Sequence, residues 1–446
     1  MTPAATSATM ETNDMRSVRH KEIILPIVIV IASTWSFCNA SPPSVYSTTE
    51  SGDITDTPVQ AMGSSFVQTQ GQQFVLDGKP LFVNGVNLYY LMTQGAFPEL
   101  RPFIADILQE SASVGTTVVR AWAFADGDSP NHLQKQPGVY SEEAFQGLDF
   151  ALSEAKKNGI RLILSFVNNW PDFGGRAQYA SWARDFAGNA NANADDFYTD
   201  DTMREWYRNH VKAVVTRVNT FTGVAYQDEP AIFAWELINE PHCESDPSGY
   251  VLQQWIREMA AYVKSLDGKH LLEVGLEGFY SSTVLPNSAD SANPAAYTAQ
   301  YGTDFILNSQ PAGIDFTTVH SYPDNWITDQ TEDGKRAFMG EWVRTHIDDA
   351  RYKLGMPVLF AEFGRSDRTP GYTESVRLTA MTDMFDAVYA SARDGGPAAG
   401  VLVWHFVPKA LEPSLQDGYA MVLSETPAVA SLMRMQTDRL STLPST

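Results

Sequence analysis

Ala231-Ile232-Phe233-Ala234-Trp235-Glu236-Leu237-Ile238-Asn239 is a short apolar-rich run. Behind it Val251, Leu252, Trp255, Ile256, Met259 and Val263 recur at helical spacing before another such run at Leu271 to Glu277. Runs of strand length alternating with segments of helical period argue for parallel strands joined by crossover helices, because each helix buries its stripe against the sheet. The alternation continues on both sides. Toward the N-terminus the strand candidates are Leu81 to Leu88, Thr116 to Phe124 and Arg161 to Asn168; toward the C-terminus they are Phe316 to Ser321, Pro357 to Phe363 and Gly400 to Phe406. Ser141, with Glu142 and Glu143 behind it, caps a helix whose stripe is Phe145, Leu148, Leu152 and Ala155. The crossover around Thr303 to Ser309 is the weakest. About eight such units close a barrel. The sequence therefore predicts an α/β chain, a (β/α)8 TIM barrel forming a single elaborated domain over residues 68–446.

Of the 446 residues 43% are hydrophobic and 19% charged, which excludes intrinsic disorder. Acidic residues outnumber basic ones 53 to 31, a formal charge of -22, and such a surface repels phosphate backbones and anionic lipid heads. Nucleic acid is not an expected partner. Aromatic residues make up 11% of the chain, and they require either a core or a flat apolar ligand such as a sugar face.

Arg16, Arg19 and Lys21 precede the apolar run Ile23 to Trp35, about a dozen residues against the roughly 20 that span a bilayer. This reads as a signal-peptide core, with cleavage after Ala40 and a Ser/Thr/Pro-rich flexible segment over 41–67. The expectation is a secreted, extracellular protein of the cell wall or matrix, with no membrane association after cleavage. The leader's basic residues are matched by Glu11, Asp14 and Glu22, so the negative balance belongs to the mature chain. Cys243 is then the lone cysteine; it excludes an internal disulfide and reads as a small buried apolar residue.

Side chains at the C-terminal ends of barrel strands converge on one mouth. Glu240 closes the fourth strand, where Pro241 biases its backbone toward the extended region, and Glu362 closes the seventh. Two carboxylates across a mouth suit glycosidic hydrolysis, in which one acid protonates the leaving oxygen and the other attacks the sugar carbon or activates water. Their pKa values must differ: apolar surroundings raise one, and hydrogen bonds or a cation keep the other ionised. Arg120 and Tyr322, at the ends of strands two and six, are candidates for the second environment. Asn239, His320 and Trp404 also fall at strand ends.

These residues lie in stretches that resemble glycoside hydrolase family five: Trp235 to Pro241, Val319-His320-Ser321-Tyr322-Pro323 and Leu359 to Gly364. Phe74 to Asn87, Val119 to Gly127, Asn168 to Tyr179, Glu273 to Tyr280 and Asp417-Gly418-Tyr419 are similar to its plant-type mannan endo-1,4-β-mannosidases. The resemblance implies a retaining double displacement on mannan-type polysaccharide, with Glu240 as acid/base and Glu362 as nucleophile. It further implies that Asn239 binds the 2-hydroxyl, that Arg120 and Tyr322 orient Glu362, that His320 sits beside the reacting sugar or the acid/base, and that Trp404 stacks on the pyranose. Trp122 and Asn168 join them as candidate substrate-binding residues, while Trp170, Trp182 and Trp326 are further candidate platforms in or near the mouth-side loops. The chain departs from the family pattern at His242-Cys243, where Arg-Cys is expected, and at His405, where Gln is expected.

Other readings are weaker. A metal-dependent barrel hydrolase wants a His-x-His pair at the first strand end, and the chain there reads Asn87-Leu88-Tyr89. No cofactor and no metal are expected. A non-catalytic sugar-binding protein would need a broken acid pair. A family-five β-glucanase or a mannan transglycosylase would carry the same catalytic residues, since mannose and glucose differ by the orientation of one hydroxyl that loop contacts must read.

Overall fold

The computed structural model describes residues 63–281, 292–327 and 331–443. The signal peptide and nearly all of the segment expected to be flexible lie outside the described residues; of the latter's end, Val67 is buried in the core.

Eight parallel strands form the central sheet: β1 (Val83–Asn87), β2 (Val118–Trp122), β3 (Arg161–Ser165), β4 (Ile232–Glu236), β5 (Leu271–Glu273), β6 (Thr317–Ser321), β7 (Val358–Phe363) and β8 (Ala398–Val403). Their order is β5-β4-β3-β2-β1-β8-β7-β6. The sheet closes where β5 meets β6, the Asp315 N–H donating to the Leu272 carbonyl (2.9 Å) and the His320 N–H to the Glu277 carbonyl (3.0 Å). Most strands stop short of the apolar runs that mark them, because the ladder ends where the chain turns outward while the apolar character continues into the mouth loops. The last strand begins earlier than expected, at Ala398, and ends at Val403 instead of Phe406.

The predicted helices form for the reasons their sequences suggest. Ser141 Oγ accepts the Ala144 N–H at the start of Glu142–Lys157, and Phe145, Leu148, Leu152 and Ala155 are buried. Tyr250–Leu266 buries Leu252, Trp255, Ile256, Met259 and Val263. The weak crossover is a helix of only five residues, Phe305–Ser309, capped by Asp304. Below the barrel a three-stranded antiparallel sheet (Gln68–Gln70, Gln73–Leu76, Lys79–Leu81) presents Phe74 edge-on to Phe233 and Phe316, at 5.0 Å from each. With Val83, Ile163 and Leu359 this makes a dry floor, leaving the polar side chains to the opposite end. Cys243 is buried and unpaired, and burial raises its thiol above the ordinary range.

Asp126, just past β2, is buried; its Oδ1 accepts from Gln134 (3.1 Å) and its Oδ2 has no partner. Burial pushes this carboxyl up to about 8 despite hydrogen bonds from Gln134 and the Gly175 backbone. An acid whose folded value exceeds its unfolded one of about 3.9 keeps in the fold a proton that the unfolded chain has released, so stability falls as pH rises through that window. Asp126→Asn removes this dependence. Thermal unfolding should show the variant gaining on the parent steadily from about pH 4 to about pH 8; a difference constant across that range would refute the assignment.

Candidate active site

Strand register decides which side chains share the mouth. Arg120 lies beside Asn87 across β1 and β2, His320 beside Glu362 across β6 and β7, and Glu236 beside Glu273 across β4 and β5. Arg120 is fully buried, and all five of its N–H groups find acceptors. Nε and Nη2 donate to the two oxygens of Glu236 (2.5 and 2.8 Å), Nη2 also to Asn239 Oδ1 (2.7 Å), and Nη1 to Glu362 Oε1 (2.5 Å) and Asn87 Oδ1 (3.2 Å). Beneath the guanidinium lies the ring of Trp122, at 4.7 Å. Trp122 is 3% exposed, so its face serves Arg120 and not an open cleft wall.

The two glutamates meet over this platform. Glu362 Oε2 accepts the Tyr322 hydroxyl at 2.6 Å. His320 Nδ1 lies 2.6 Å from Glu240 Oε1 and 3.8 Å from Glu362 Oε2, and Trp170 Nε1 donates to Glu240 Oε2 at 2.5 Å. One oxygen from each glutamate and a ring nitrogen of His320 lie within 4.8 Å of one another. These atoms could ligate a cation, but the guanidinium already on Glu362 opposes a second positive charge.

Glu240 does not adopt the extended backbone expected before Pro241: its φ is +51°, in the left-handed region. Non-glycine residues there are held by surrounding contacts at a cost of about 1–3 kcal/mol. The holding contacts are the Glu240 N–H to the Gly275 carbonyl (2.8 Å) and the grips of His320 and Trp170 on its carboxyl. Glu240 thus sits past the end of β4 and is turned back over the mouth.

Burial and the facing Glu240 push Glu362 above the usual carboxylate range, against His320, Arg120 and the Tyr322 hydroxyl. Burial works the same way on Glu240, but the His320 and Trp170 hydrogen bonds overcome it and hold Glu240 low. His320 Nε2 is buried and has no hydrogen-bond partner among the described residues. Against those two directions stand the Arg120 guanidinium and the Tyr322 hydroxyl, which both donate to Glu362 and favour charge there.

Asn168 accepts from Asn239 Nδ2 (3.0 Å) and from the Trp170 N–H (3.2 Å), joining the two mouth loops. Trp404 donates to Asp417 Oδ2 (2.8 Å) and stacks on Tyr89 at 5.3 Å and 10°. Burial raises Asp417, yet His405, Trp404 and the Tyr419 N–H together bring it down to about 2. Trp170, 38% exposed, faces the cleft. Trp182 is buried against Tyr179, and Trp326 packs on Phe279 and Trp342.

Sequence reading missed Glu236, Glu273 and Glu277 as parts of this site. Glu277 ends the apolar run of the fifth strand, so the strand-end rule that found Glu240 would have found it too. Its carboxyl is raised well above the ordinary range by burial and by the charges of Glu240 and Glu362. His242 Nε2 lies 2.5 Å from Glu277 Oε2, and burial lowers the imidazole to about 3, so the pair is a carboxylic acid donating to a neutral ring. His242 stacks on Tyr301 at 4.0 Å.

The model for β-mannosidase-like members of glycoside hydrolase family 5 matches residues 64–416. Mannan endo-1,4-beta-mannosidase 1 of Oryza sativa subsp. japonica is 48% identical over 378 residues, covering 85% of this chain and 86% of its own. Mannan endo-1,4-beta-mannosidase 7 of Arabidopsis thaliana is 48% identical over 84% of this chain and 85% of its own. Among solved structures, an endo-beta-1,4-mannanase from Thermotoga petrophila superposes with a TM-score of 0.72 at 31% identity, covering 82% of this chain and 78% of that one. A closed parallel barrel with two glutamates at its mouth, and a family match over most of the chain, lead to one statement: the protein is a member of glycoside hydrolase family 5, on its β-mannosidase-like side.

Proposed function

We propose that this protein is an endo-acting mannan 1,4-β-mannosidase that cleaves internal bonds of mannans, galactomannans and glucomannans with retention of anomeric configuration. The observation that carries the mechanism is that a carboxyl oxygen of Glu240 lies within 4.8 Å of one of Glu362. Retaining sites hold their carboxyls about 5–5.5 Å apart, whereas inverting sites need about 6.5–9.5 Å to admit a water. The substrate reading rests on the relatives.

Glu362, held by Arg120 and Tyr322, attacks the anomeric carbon while Glu240 protonates the departing oxygen; Glu240 then takes a proton from the water that releases the sugar. Asn239 Oδ1 is taken by Arg120 and one Nδ2 hydrogen by Asn168, which leaves a second N–H to donate to the 2-hydroxyl. The partly exposed Trp404 offers a ring to the pyranose face. Secretion rests on the leader over residues 1–40.

The mature protein should shorten galactomannan and glucomannan chains internally and leave soluble cellulose nearly untouched, with nuclear magnetic resonance showing β-configured reducing ends first. Preferential cleavage of cellulose would overturn the substrate assignment, and α-configured first products would overturn the mechanism.

A further inference from the structure

Next to Arg120 lies a second pair of carboxyls that the mechanism above does not use. Glu236 and Glu273 are register neighbours on β4 and β5 and both fully buried, so their carboxyls share one dry space beside Arg120. Two carboxyls side by side in such a space do not both ionise. Glu236 is committed as the ionised partner: it accepts Nε and Nη2 of Arg120 and the Ser165 hydroxyl. On Glu273, the Gly275 N–H and the Thr318 hydroxyl both reach Oε2, and Oε1 meets no donor. An O–H at Oε1 directed to the neighbouring Glu236 accounts for the missing donor.

We propose that Glu236 and Glu273 act as one monoanionic acid–carboxylate couple, with the proton on Glu273, which fixes the Arg120 guanidinium so that Nη1 is presented to Glu362. They are positioning residues for the nucleophile, and this rests on the reading of Glu362 above. Charge balance favours the arrangement. Two charges on the couple would set three carboxylates against one guanidinium in a dry interior, and no charge would leave Arg120 without its bidentate partner. Burial and the Glu236 charge keep Glu273 well above the ordinary carboxyl range. The other titratable groups around the couple are Arg120, Tyr207, whose phenol is raised by burial and by Glu236, and, through Arg120, Glu362; Glu240, Glu277 and His320 act on Glu362 from the mouth.

The test compares two isosteric variants of the full protein. In Glu273→Gln the amide N–H replaces the acid O–H and the couple keeps its single charge, so kcat/KM on mannan oligosaccharide should fall by about tenfold at most, with the acid limb of the pH profile where the parent has it. Glu236→Gln deletes the counter-charge. Its kcat should fall by about 100-fold or more, and the acid limb of kcat/KM should move down by about one pH unit, because Glu362 becomes the only carboxylate on the guanidinium. The infrared difference between parent and Glu273→Gln at about pH 6 should show loss of a carboxylic-acid C=O stretch and not of a carboxylate band. That readout needs no activity, so it still judges the couple if the mannan reading fails or if Glu236→Gln does not fold. Loss of a carboxylate band, equal damage from the two variants, or an unmoved acid limb in a folded Glu236→Gln would overturn the proposal.

Discussion

Glu362→Ala should lower kcat/KM on mannan by about 10,000-fold or more while oligosaccharide binding stays measurable. In the proposed displacement the carboxylate supplies the bond-forming oxygen of the first step, and among the described residues no other group is placed for that role: Tyr322 and Arg120 are donors to Glu362, and Glu240 is held from the opposite side by His320 and Trp170. Binding survives because Trp404 and Asn239 are anchored by Asp417, Arg120 and Asn168. Addition of azide with an activated aryl mannoside should restore phenol release and yield a product of inverted configuration, since the vacated space admits a small anion beside the guanidinium. Near-normal turnover on mannan, or restored turnover giving the retained product, would refute the nucleophile assignment.

Arg120→Ala should be the most damaging substitution for the fold among the mouth residues. It removes a buried cation that Glu236 and Glu362 share and leaves both carboxylates uncompensated, a situation that costs about 3–5 kcal/mol. Denaturant unfolding should show this as a large drop in midpoint, and the variant should be inactive. Arg120→Lys separates stability from catalysis. It keeps the charge and should recover part of the stability, but one ammonium cannot satisfy the five contacts of the guanidinium. Its kcat should remain about 100-fold low or worse. A lysine variant with full activity would show that orientation by the guanidinium fork is not needed.

The barrel was legible because local periodicity reports burial directly: the stripe of Phe145, Leu148, Leu152 and Ala155 is buried as its spacing predicts. The meeting of Glu240 and Glu362 at the mouth was legible because two acids closed apolar runs at ends that a barrel brings together. Glu236 and Glu273 were not, because inside an apolar run a charged residue gives no local sign of its partner; Arg120 reaches Glu236 from 116 positions away. The conformation of Glu240 was misread for a related reason. The local steric preference before Pro241 favours extended backbone, and contacts with His320, Trp170 and Gly275 from three other segments override it.

By itself, then, the amino-acid order determined the strand and helix alternation, the barrel and the placing of Glu240 and Glu362 at its mouth, since each is written in short-range patterns of apolar and polar residues. Tertiary structure alone decided that Arg120 binds Glu236 and Glu362 together, that Trp122 lies beneath the guanidinium, and that His242 shares a proton with Glu277. Those are properties of register and of a dry interior, where the energy of a charge depends on neighbours distant along the chain.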